Sequence, residues 1–225
     1  MNLLEQPIGQ LACALPGATR IFHNHKLDFC CGGHVSLREA AEKRGLNLQL
    51  LQTELESLQA KDSADRDWRE APVAELIGHI LHRFHDRHRE QLPEVIRLAL
   101  RVEAVHADRP DCPAGLADHL EIMQQELTNH MMKEEQILFP MLLRGNDRTA
   151  QAPISMMRFE HDQHGEALEQ LAMLTNDLVP PADACNTWRA LYAALIQLRE
   201  DLMQHIHLEN NALFLNAERS AAGQA

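Results

Sequence analysis

Aromatic residues are scarce in this chain: six Phe, two Trp and one Tyr amount to 4% of 225 residues. Gly and Pro, ten of each, leave long stretches of Leu, Ala, Glu, Gln and His unbroken, which is the composition of helix rather than sheet. An all-α protein is expected. No run of 18 apolar residues occurs, and Met1 to Leu11 has no basic segment followed by an apolar one, so neither a membrane span nor a secretory leader is expected. Basic residues are in deficit, 21 Lys and Arg against 33 Asp and Glu, and the net charge of −12 sets the global field against nucleic acid and anionic membranes. Cysteine is also sparse. Five residues, at 13, 30, 31, 112 and 185, form no disulfide framework, and their odd number suits free thiols in a reducing, cytoplasmic setting.

What is present is helical punctuation. Residues 1–60 read as a small domain of short helices, with a capping box at Ser36 and Glu39, a stop at Gly45 and a cap at Asn47. Residues 61–72 are polar and end in Pro, a linker able to let the two domains move. From 73 to 217, four long helical stretches are separated by breakers at Arg109 to Gly115, Gly145 to Pro153 and Asn176 to Ala182, spacing that favours an antiparallel four-helix bundle. Residues 218–225 read as a flexible tail.

Each bundle stretch carries an apolar seam at alternating spacings of three and four. The second seam is Leu116, Leu120, Met123, Leu127, His130, Met131, Glu134, Ile137 and Met141; the third contains His161 and His164; the fourth runs from Trp188 through Leu202 to His205 and Glu209. Polar residues interrupt the seams near one height. His130 with Glu134 and His205 with Glu209 are four apart, so each pair projects from one helix face. A buried charge costs several kcal/mol unless paired or coordinated. Two such pairs, within the related segments HMMKEEQILF and HIHLENNALF, point to metal coordination.

Imidazole nitrogen with carboxylate oxygen suits iron, manganese or zinc, and a glutamate from each of two helices can bridge two ions. Iron is the expected metal, as two non-haem ions, each with two histidines, one oxygen of each bridging glutamate and a shared oxo or hydroxo bridge. The first stretch is ambiguous, since His85 and His88 both fit its stripe. His106 shares the phase of His85 but lies about 31 Å along the helix, too far for one centre.

The sequence resembles the Repair-of-Iron-Centres family of iron–sulfur cluster repair proteins over essentially its whole length. The carriers are DFCCGG at 28–33, FHDRHREQLP at 84–93, VHADRP at 105–110, HMMKEEQILFPM at 130–141, EHD at 160–162 and HIHLEN at 205–210. The C-terminal part is similar to hemerythrins. That resemblance implies His85, His130, His161 and His205 as terminal ligands, and Glu134 and Glu209 as bridges. Oxygen-carrying hemerythrins have two histidines four apart on the third helix, whereas here Gly165 follows His161 at that spacing. His164 then reads as a neighbour of the centre or as core.

The resemblance also implies the function. Clusters damaged by nitric oxide or oxidants are repaired by iron donation or by handling NO at the di-iron centre, with damaged iron–sulfur proteins as clients. Cys30 and Cys31 read either as a thiol relay for iron or a nitrosyl group or as two small core residues. The relay reading expects accessible thiols beside a Gly-Gly turn, with a pKa lowered by His23, His25 or His34. Rival readings are a carrier or sensor of O2 or NO, and a reductase of NO or peroxide. The assembly is expected to be a monomer or homodimer.

Overall fold

The computed structural model describes residues 3–15, 17–59, 67–145 and 148–223. In the N-terminal domain, Ser36 accepts from the Glu39 N–H while the Glu39 carboxylate accepts from the Ser36 N–H, a reciprocal cap worth about 1 kcal/mol. It opens helix α3 (Leu37–Lys43), which ends before Gly45 at φ +65°. Asn47 accepts from the N–H groups of Gln49 and Leu50 and so caps α4 (Leu48–Gln59). With α1 (Ile8–Ala14) and α2 (Ala18–Asn24), these helices bury Ile8, Leu11, Phe22, Phe29, Leu37 and Leu55.

Residues 61–66 of the expected linker lie outside the described residues. From Asp67 onward the segment packs on the bundle: Asp67 caps a 3-10 turn at Trp68–Glu70, and Trp68 stacks on His79 at 4.2 Å between ring centroids.

The bundle has four rods. The first joins α5 (Val73–Ile80) to α6 (Asp86–His106) through a π-helical turn at Leu81–His85. The second joins α7 (Leu116–Lys133) to α8 (Phe139–Leu143) through a π turn at Glu134–Leu138. The third, α9 (Gln151–Leu174), is uninterrupted. The fourth joins α10 (Asn186–Leu208) to α11 (Phe214–Gly223) through a π turn at Glu209–Leu213. The last helix runs past residue 217, where a flexible tail was expected, and Arg158 pairs with Glu218 at 3.2 Å. Both α6 and α9 pack against α7 and α10, the arrangement of an up-down-up-down bundle.

The π turns change the helical phase. One extra residue in the turn rotates everything after it by about 100°. Ile137, inward by simple periodicity, is 54% exposed, and Leu138 and Leu142 take the buried positions. Two apolar clusters result. One contains Leu92, Val95, Leu120, Leu127 and Leu198, the other Leu76, Phe84, Leu138, Met157 and Phe214, and a polar layer separates them. No helix among the described residues is long and apolar enough to cross a membrane.

Candidate metal centre

That polar layer contains His85, His130, Glu134, His161, His205 and Glu209, none more than 1% exposed. The π turns place them. His85 closes the first, while Glu134 and Glu209 open the other two, so each carboxylate sits one turn beyond its histidine as the helix widens. Such turns recur at functional sites. His85 Nε2 lies 3.1 Å from His205 Nε2, and His130 Nε2 lies 3.2 Å from His161 Nε2. Glu134 Oε2 stands 3.4 Å from both His85 and His130, and Glu209 reaches His161 at 3.0 Å and His205 at 3.1 Å. Each carboxylate therefore touches one histidine of each pair. Two four-donor groups result, His85–Glu134–His205–Glu209 and His130–Glu134–His161–Glu209, each with its ligand atoms within 4.8 Å of one another.

Without a cation this layer is poorly satisfied. Both Glu134 oxygens are buried with no hydrogen bond, and Glu209 Oε2, although 3.0 Å from His161 Nε2, makes none of good geometry. Burial and the neighbouring Glu209 push Glu134 well above the usual carboxylate range. Burial also opposes ionisation of Glu209, but His205 and His161 outweigh it and hold that carboxyl low. Burial pushes His85 down to about 4 and lowers His130 and His205, which keeps these imidazoles in the neutral form that ligates metals. Neutral nitrogens and shared carboxylates with unmet oxygens are a donor set that fits a pair of hard or borderline cations.

Three residues that the sequence reading did not single out hydrogen-bond to the candidate ligands. Glu135 meets His85 Nδ1 at 2.7 Å and is itself held by Arg89 at 2.7 Å. Glu160 meets His130 Nδ1 at 2.9 Å and pairs with Lys133. Those hydrogen bonds hold the Glu160 carboxyl down at about 2. Asn210 Oδ1 accepts from His161 Nδ1 at 2.9 Å. Each adjoins a ligand in sequence, the one signal that was available. Phe84, Phe139 and Phe214 stack on His205, His85 and His161 at 5.4, 5.8 and 5.8 Å and exclude water.

Other histidines lie outside the donor groups. His88 turns to Gln91, and His164 is buried with its ring 5.0 Å from that of His130. His106 sits at the far end of α6 against Trp188 and Cys185.

The cysteine loop docks directly on the bundle. Asn211 Nδ2 donates to the carbonyls of Phe29 and Cys30 at 3.4 and 3.3 Å, and Cys13 Sγ lies 3.3 Å from His207 Nε2. A Cβ on Gly33 would lie 2.8 Å from Asn211 Oδ1, so this glycine serves a close approach. Cys31 Sγ donates to the carbonyl oxygen of His161 at 3.4 Å. The expectation of an accessible, acidified thiol is corrected for Cys30, whereas Cys31 is half-buried. Cys30 is buried, and the neighbouring Cys31 thiol together with burial raises its pKa. His25 is engaged by Glu54 at 2.7 Å. Both cysteines line a cavity of about 510 Å³ between the domains, with Asp28, Asp162, Gly165 and Met203.

Comparison with known proteins agrees with this construction. A family model described as the hemerythrin HHE cation binding domain matches residues 76–215, and one described as a domain of unknown function, DUF542, matches residues 4–59. The iron-sulfur cluster repair protein YtfE of Pectobacterium atrosepticum is 55% identical over 219 residues, 97% of this chain and 99% of the relative. The chain belongs to the iron–sulfur cluster repair family. The YtfE of Cronobacter sakazakii is 50% identical, with 100% of both chains covered. A probable iron-sulfur cluster repair protein of Haemophilus influenzae is 51% identical over 95% of this chain and 97% of its own. In this member of the repair family, the hemerythrin match spans all six buried donors and the DUF542 match spans the cysteine loop.

Proposed function

We propose that this chain repairs iron–sulfur clusters damaged by nitric oxide or oxidants. It would use two non-haem irons held by His85 and His205 at one position and by His130 and His161 at the other. Glu134 and Glu209 would be shared between the two positions, with an oxo or hydroxo group as the further bridge. The carrying observation is that both glutamates belong to both four-donor groups. The names of the full-length relatives supply the class of client, a damaged iron–sulfur protein. When bound, the iron pair supplies open coordination positions for NO or O2 and, as cargo, ferrous iron for an incomplete cluster.

The chain's own residues define the remaining work. Glu135, Glu160 and Asn210 hold three imidazoles in the ligating tautomer, and three Phe rings keep bulk water away. Cys30 and Cys31 would relay iron, or a nitrosyl group carried on iron, between the centre and the client through the interdomain cavity. Their loop rests on the backbone of His161, which favours repair over the carrier reading, since a carrier has no use for it. The reducing cytoplasm keeps these thiols free. Iron-loaded protein should transfer iron to an apo iron–sulfur protein and restore its activity. Sustained NO consumption with an electron donor, and no iron transfer, would replace this function with a reductase.

A further inference from the structure

Three of the four imidazoles at the centre have their outer nitrogen engaged, by Glu135, Glu160 and Asn210. His205 is the exception. Its Nδ1 is buried and has no partner. A histidine that gives Nε2 to a metal carries its proton on Nδ1, so this is an unmet buried donor, a destabilising condition. A second unmet nitrogen lies beside it. His88 is fully buried, its Nε2 has no partner, and its ring centroid is 5.3 Å from that of His205 with the planes 32° apart.

The tautomer of His88 is set from outside. Asp201 is buried, anchored by Arg83 at 2.6 Å, and accepts from Gln91 Nε2 at 2.7 Å. With its NH2 group committed there, Gln91 presents its carbonyl oxygen to His88 Nδ1 at 3.3 Å. An amide oxygen only accepts, so the His88 proton lies on Nδ1 and Nε2 keeps its lone pair. An unmet acceptor therefore adjoins an unmet donor.

We infer that His88 is a positioning residue for His205: its Nε2 accepts the hydrogen bond from His205 Nδ1–H, through a small shift of the rings or one buried water, and the chain Arg83–Asp201–Gln91–His88 thereby orients the fourth ligand. The inference rests on the di-iron centre proposed above. It makes retention of one metal, the one at His85 and His205, depend on residues that touch no metal. The metal at His130 and His161 does not depend on them.

The test is iron release from the full-length, iron-loaded protein into an excess of a ferrous chelator, followed by absorbance. His88→Leu and Asp201→Leu, which removes the acceptor that fixes Gln91, are expected to speed release of one iron equivalent about tenfold and leave the other unchanged, the scale typical when a ligand's outer partner is lost. His88→Gln, whose amide oxygen can accept the same bond, should release iron at close to the wild-type rate. Two controls assign the phases: Glu135→Gln should speed the same equivalent as His88→Leu, and Glu160→Gln the other. Asp201→Leu, which touches no candidate ligand, carries the test if His88→Leu fails to fold. Wild-type rates in both variants, equal acceleration of both equivalents, or a His88→Gln rate as fast as His88→Leu would each overturn the inference. No client takes part in the measurement. A protein that shows the His88 effect and donates no iron would end the donation reading alone, whereas a chain that binds no iron would end both.

Discussion

Asn210 and His161 meet at 2.9 Å, Oδ1 to Nδ1, and the nitrogen of the same amide donates to the carbonyl of Cys30 at 3.2 Å. One side chain thus joins a candidate ligand to the cysteine loop. Asn210→Leu removes both bonds and should lower iron content and expose Cys30 to alkylation. Asn210→Asp keeps the acceptor and loses the donor, so it should expose Cys30 with iron retained. Alkylation rates at the wild-type level in both variants would show that the amide does not hold the loop.

Metal content tests the donor set. Protein from iron-replete cells should hold about two irons per chain, as expected for a shared carboxylate pair. His130→Ala and His205→Ala should each lose at least one, while His106→Gln and His164→Gln retain both. Elemental analysis giving one zinc per chain would refute the di-iron assignment.

The cysteine pair separates repair from simple metal storage. No sulfur belongs to either buried donor group, so Cys30→Ala with Cys31→Ala should leave iron content and the optical spectrum intact. Recovery of a damaged iron–sulfur enzyme should fall. Full repair by the double variant would reduce both residues to packing, and loss of iron would mean that the ligands are misassigned.

Replacement of neighbouring residues reads the phase of the second rod. Leu138 is 1% exposed and Ile137 is 54% exposed because a π turn precedes them. Leu138→Ala should cost about 2–5 kcal/mol, the range for a core truncation. Ile137→Ala should cost about 0.5 kcal/mol or less, as surface changes do. Denaturant melts of the metal-free protein giving the reverse order would mean a continuous α-helix there.

Alkaline stability reports the seam between the domains. Burial raises the Cys13 thiol from its ordinary 9.0 to about 12. A raised folded-state pKa gives stability that is fully present below pH 9 and lost as pH climbs toward 12, by about 1.4 kcal/mol per unit at most. Thermal melts under reducing conditions should therefore fall more steeply above pH 9 for wild type than for Cys13→Ala. Parallel curves would show that Cys13 does not stay protonated at the seam.

The local parts of this protein were legible in its sequence. The capping box at Ser36 and Glu39, the cap at Asn47 and the breaks between rods depend on residues within a few positions of each other. So does the placement of His130 with Glu134 and of His205 with Glu209 on one face each, because a separation of four is one helical turn. The tertiary structure decided what lies between rods. His85 and His88 fit the same stripe, and only the packing against α10 brings His85 Nε2 to 3.1 Å from His205 while Gln91 takes His88. The π turns moved Ile137 outward and Leu138 inward, since one added residue resets the phase on which a periodicity argument depends. Glu135 and Glu160 read as surface charges along their own helices and acquire a task only across a helix interface. The seating of Cys31 on the His161 carbonyl joins positions 130 residues apart, a relationship that local pattern does not encode and that close packing between the domains imposes.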